Sequence, residues 1–150
     1  METIDLLKKN LLFKGCTPED YELLAGLFVE RKVSPNTTIF SEKMPGEALY
    51  IIKSGEVRIS TMAGEGEEVG LLLLGPGDFF GEIALIQESS RAVTARSESE
   101  TEFVMLSRKD FLALMDLDPR VAARVTLSIA RLLAMRVKAY SNKLREILLA

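Results

Sequence analysis

Between residues 31 and 106 the apolar side chains alternate with polar ones in short runs, and Gly, Pro or Asn breaks the pattern every several residues. Alternation puts successive side chains on opposite faces of an extended backbone, so this stretch predicts strands and excludes long helices. The expected strands take in Val33 and residues 38–40, 49–52, 57–59, 69–74, 93–95 and 103–106, with turns at 34–36, 43–46, 53–55 and 63–66. Many short strands at this spacing close into a sandwich or jelly-roll barrel.

The flanks have a helical period instead. Ile4, Leu7, Leu11 and Leu12 share one helical face over residues 4–14, and a second helix starts with Thr17 as cap and Pro18 in its first turn. After the strands, Ser107 leads into residues 111–115, and Asp118 and Pro119 open a further helix. Neither Gly nor Pro occurs in residues 120–149, so a single helix of about 45 Å is expected there. That is too long to be buried along its whole length on one small domain. Leu133, Val137, Tyr140, Leu144 and Ile147 or Leu148 fall at steps of four and three, a coiled-coil seam that predicts a parallel homodimer. Packing of this helix on its own barrel is the competing reading, and the two can hold at different ends. The expected fold is mainly β with flanking helices (α+β): a double-stranded β-helix, or jelly-roll barrel. A single domain over 1–150 is expected, with N-terminal helices in 1–30, the barrel in 31–107 and C-terminal helices in 108–150.

The chemistry concentrates in residues 75–94. Gly75, Gly77 and Gly81 bracket a turn, and Gly81 precedes Glu82-Ile83-Ala84-Leu85-Ile86, one or two helical turns whose first amides lack partners. Such amides seat an anion, and Gly81 has no side chain to block its approach. Arg91 can grip two phosphate oxygens and stays charged. Glu82 cannot hold phosphate but suits a ribose hydroxyl. A plain Gly-Pro-Gly turn, with Glu82 and Arg91 joined in a salt bridge across a hairpin, is the competing reading.

Phe80-Gly81-Glu82-Ile83-Ala84-Leu85 together with Arg91-Ala92 resembles the phosphate-binding cassette (80–94) of the cyclic-nucleotide-binding domain family, the type found in catabolite activator protein and protein kinase A regulatory subunits. Gly46, the 49–52 strand, Gly55-x-Val57 and Gly75-x-Gly77-Asp78 extend the likeness over nearly the whole chain. The resemblance implies that Glu82 takes the ribose 2′-hydroxyl, Arg91 the cyclic phosphate, and the amides of Ile83, Ala84 and Ala92 further oxygens. Ser90 stands where the family usually has Pro, which leaves the turn before Arg91 less rigid. Bacterial relatives present hydroxyls from the long helix to the purine; counting from Arg91 brings Arg136 and Val137 to that place, so Arg136 stacks on the base or faces solvent. Ala92 leans the reading towards cyclic AMP over cyclic GMP. The implied function is a regulatory sensor that couples ligand to helix position and dimer state and passes the change to an effector protein. The alternative is a domain of the same fold with no nucleotide ligand, used for dimerisation or docking.

Other classes of function fit poorly. With no His and a single cysteine, Cys16, the chain lacks the usual general base and most zinc sites, so neither catalysis, a cofactor nor a metal is expected. Gly64-Glu-Gly-Glu-Glu68 lacks the Gly-Lys-Ser/Thr of a phosphate loop, and its acids would repel phosphate. The absence of a long apolar run or a basic leader, and the lone cysteine, suggest a cytoplasmic protein that does not enter membranes. The net charge of −3 is uneven: residues 120–150 hold seven bases against the single acid Glu146. Those bases flank the apolar seam; non-specific nucleic-acid binding through them is a weaker reading. Specific DNA binding by this chain alone is not expected, because the sequence stops where the helix-turn-helix of an activator would begin.

Overall fold

The computed structural model describes residues 2–149. Two short helical pieces come first, α1 (Thr3–Lys8) and a 3-10 turn (Leu11–Phe13), followed by α2 (Pro18–Ala25). The expected helix over 4–14 is therefore broken, because Asn10 turns its side chain back to accept from the Leu12 amide and starts a new turn. Then come β1 (Val29–Val33), β2 (Thr38–Phe40), β3 (Ala48–Ser54), β4 (Val57–Met62), β5 (Glu68–Leu74) and β6 (Phe79–Phe80). A one-turn helix α3 (Ile83–Ile86), β7 (Thr94–Ser97) and β8 (Thr101–Ser107) complete the β region, and α4 (Arg108–Leu117) and α5 (Pro119–Leu149) follow.

The strands form two four-stranded antiparallel sheets, ordered β1-β8-β3-β6 and β2-β7-β4-β5. This is the expected mainly-β jelly roll with flanking helices. β1 begins at Val29, two residues before the alternation does, because it is an edge strand whose side chains are mostly exposed charges. β6 carries only two residues, too few for any period to register.

β3 shows how the molecule divides. Its odd-numbered Leu49 and Ile51 pack with Leu106, Val104 and the helices, whereas the even-numbered Ala48, Tyr50 and Ile52 pack with Phe40, Val57, Ile59 and Phe103 inside the barrel. One sheet thus separates a helical core from a barrel core, as period-two side chains on a doubly covered strand require. α5 joins the helical core through Val121, Ala122, Val125 and Ile129. Beyond Leu133 it leaves the body: Val137, Tyr140, Leu144, Ile147 and Leu148 are 56–73% exposed. Among the described residues no helix is long and apolar enough to cross a membrane.

The helical layer is locked by Asp20. It closes a capping box with Thr17, as the Thr17-Pro18 start predicts, and receives two hydrogen bonds from Arg120 at the start of α5. The Arg120 hydrogen bonds, reinforced by Thr17, hold the Asp20 carboxyl at about 2 against an ordinary 3.8. A lowered pKa means the stabilisation is complete above about pH 4 and is lost as pH falls towards 2. With Arg120 half exposed, screening reduces its size to about 1–2 kcal/mol. Asp20→Asn should remove that acid-limb loss, seen as urea midpoints that no longer drop between pH 4 and pH 2. An acid limb that is the same in the parent and the variant would exclude this role for Asp20.

Candidate ligand-binding site

A cavity of about 640 Å³ opens between the barrel mouth, the α3 turn and the middle of α5. Gly81, Glu82, Ile83, Arg91, Ala92 and Arg136 all line it. Ala84, the seventh residue expected there, is buried behind the wall, and its amide donates to the Gly81 carbonyl at 3.1 Å. Among the described residues the amides of Ile83 and Ala92 donate to no main-chain carbonyl.

Arg91 is the centre of the site. It is only 9% exposed, and its guanidinium lies 4.1 Å from the Phe40 ring centroid and 5.7 Å from that of Tyr50. Tyr50 in turn stacks on Phe80 at 5.0 Å. The guanidinium donates to the Ala48 carbonyl at 2.9 Å and makes a longer contact of 3.5 Å with that of Gly81, while Nε is buried with no partner. Among the described residues no carboxylate pairs with it. Burial pushes the Arg91 pKa below the usual guanidinium range, only partly opposed by Tyr50, Glu47 and Glu82. A desolvated cation with aromatic and carbonyl neighbours but no counter-ion is complementary to an anion.

The turn carrying Arg91 is firm despite Ser90. The Arg91 amide donates to the Met44 carbonyl at 2.7 Å, its carbonyl accepts from Lys43, and the Ser89 carbonyl accepts from Gly46, each of these last two at 2.8 Å. Three main-chain bonds to the 43–46 loop supply the rigidity that a proline ring would have given.

Glu82 does not bridge to Arg91. It is 5% exposed, and its Oε1 pairs with Arg136 of α5. Arg136 is therefore held at the cavity by an ion pair and does not face solvent alone. Apart from Ser89 and Ser90, the rest of the cavity wall is mostly apolar, with Ile59, Leu71, Leu72, Leu74, Val93 and Tyr140 in it. Phe40, Ala48, Tyr50 and the β5 leucines were not expected at the site. Their signal in the sequence is only that of ordinary strand residues.

The fold and the comparisons agree. The family model described as "Cyclic nucleotide-binding domain" matches residues 30–118. The chain belongs to the cyclic nucleotide-binding domain family. The cyclic AMP receptor protein of Thermus thermophilus is 38% identical over 125 residues, which cover 83% of this chain and 58% of the receptor. The chain thus spans less than two thirds of that relative's length. The N-terminal domain of a Streptomyces coelicolor transcriptional regulator superposes with a TM-score of 0.82 at 27% identity, covering 91% of this chain and 95% of the other. The Toxoplasma gondii protein kinase A regulatory domain, crystallised with cyclic AMP, has a TM-score of 0.69 at 34% identity, over 75% of this chain and 42% of that one. These relatives are a receptor and regulators, in keeping with the expectation that this domain binds and does not catalyse.

Proposed function

We propose that this cyclic nucleotide-binding domain is a sensor for cyclic AMP whose occupancy sets the position of α5 and the pairing of two copies. The observation that carries the reading is the buried Arg91 cation, without a counter-ion, on the wall of a cavity that also holds Glu82. A cyclic nucleotide offers one phosphodiester charge for Arg91, a ribose hydroxyl for Glu82 and a purine for the apolar wall. Cyclic AMP is preferred over cyclic GMP because the receptor of Thermus thermophilus is named for it and Ala92 follows the cassette arginine. No bond is made or broken. The ligand biases α5 only through its differential affinity for two helix positions, and about 1–3 kcal/mol suffices for a working switch.

The exposed seam of α5 supports the dimer: Val137, Leu144 and Ile147 are 56–65% exposed, so little among the described residues covers them. Two such helices would bury each other's seam. A downstream effector protein would read the change. The test is calorimetric titration with cyclic AMP and cyclic GMP, combined with analytical ultracentrifugation. Cyclic AMP is expected to bind more tightly. Leu144→Asp should weaken self-association by at least about tenfold, since it places two like charges in the seam. No heat and no thermal shift with either nucleotide would leave only a docking or dimerisation module. Unaltered association in Leu144→Asp would remove the helix from the interface.

A further inference from the structure

Glu82 has two oxygens in different circumstances. Oε1 holds Arg136, at the point where α5 leaves the body. Oε2 has no hydrogen-bond partner among the described residues and keeps some exposure, and Glu82 lines the cavity. A carboxylate can accept on both oxygens at once. The resident arginine and an incoming hydroxyl therefore have no need to compete.

We propose that Arg136 is a positioning residue that acts on the ligand through Glu82, by pinning Oε1 so that Oε2 is presented to the ribose 2′-hydroxyl. This rests on the ligand reading above and gives Arg136 a part other than the two its place in the sequence suggested, stacking on the base or facing solvent. Its Nη1 is committed to Glu82, and the purine is left to Leu71, Leu72, Val93 and Tyr140. The pair also removes a difficulty. A lone buried carboxylate would repel the phosphate that Arg91 attracts, whereas the Glu82–Arg136 pair is neutral and leaves the pocket with one net positive charge for a singly charged phosphodiester. No described side chain of α5 beyond Arg136 bonds to the barrel. The ribose, Glu82 and Arg136 thus form one continuous line from the ligand to the base of the projecting helix segment.

The test compares cyclic AMP with its 2′-deoxy analogue on the parent, Arg136→Ala and Arg136→Lys by calorimetry. The parent should favour cyclic AMP by about tenfold, the size of one hydrogen bond to a charged acceptor. Arg136→Ala should bring that ratio towards one, and Arg136→Lys should restore part of it. A ratio is insensitive to general damage, and to the phosphate repulsion that affects both ligands alike. An undiminished ratio in Arg136→Ala overturns the proposal. A parent that binds both ligands equally also overturns it, because Glu82 is then not on the ribose, yet the ligand reading survives. A parent that binds neither defeats the ligand reading, and this inference falls with it.

Discussion

Arg91→Ala is expected to weaken cyclic AMP binding by two to three orders of magnitude, about 3–4 kcal/mol, because it leaves a desolvated phosphate with no counter-ion. The loss should fall on binding and not on the fold. In the ligand-free protein Arg91 is a buried cation with an unpaired Nε, and its burial is unfavourable, as its lowered pKa indicates. Removing such a group relieves desolvation, while the space beside Phe40 and the freed Ala48 carbonyl count against the variant. These opposing effects should keep the unliganded stability within about 1–2 kcal/mol of the parent. The stabilisation that ligand adds at saturating concentration should vanish. Thermal unfolding with and without nucleotide measures both quantities in one experiment. Ligand stabilisation of Arg91→Ala equal to that of the parent would take Arg91 out of the site.

How much of this could be read before folding depends on which kind of interaction each residue makes. The barrel was legible because period-two alternation and turn residues are local signals, and β3, β4 and β8 fall where the alternation puts them. The α5 helix was legible from the absence of Gly and Pro. That Gly81, Glu82 and Arg91 meet at one cavity was legible because they stand within eleven residues of one another around a single turn. What stayed hidden was non-local. The pairing of Glu82 with Arg136 joins residues 54 positions apart, and that of Asp20 with Arg120 spans 100. No periodicity encodes which of the seven bases in 120–150 meets which acid. The aromatic bed under Arg91 was hidden for a similar reason: Phe40, Tyr50 and Phe80 come from three strands and look like ordinary core until the sheets close. The 43–46 loop likewise gave no sign that it would brace the turn left loose by Ser90.

Gly81 provides the sharpest test of whether the backbone around Arg91 is built for the site. Its φ is +80°, and a Cβ added there would stand 2.8 Å from both the Ala48 carbonyl oxygen and Arg91 Nη1. The first is main chain of the central strand β3 and cannot retreat; the second is the guanidinium itself. Gly77 offers a matched control, since its φ of +88° is as strained for an L residue but a Cβ there meets nothing within 4 Å. Gly77→Ala should cost about 1–2 kcal/mol from backbone conformation alone and leave nucleotide affinity unchanged. Gly81→Ala incurs the same conformational cost plus the overlap, about 3 kcal/mol or more in all. It should also lose at least about tenfold in cyclic AMP affinity, because the cheaper way to relieve the overlap is to displace the Arg91 fork from its bond to Ala48. Urea unfolding and calorimetry on the two variants separate conformational strain from displacement of the guanidinium. Equal affinities in Gly77→Ala and Gly81→Ala would mean that the approach of backbone to Arg91 has no part in holding the ligand.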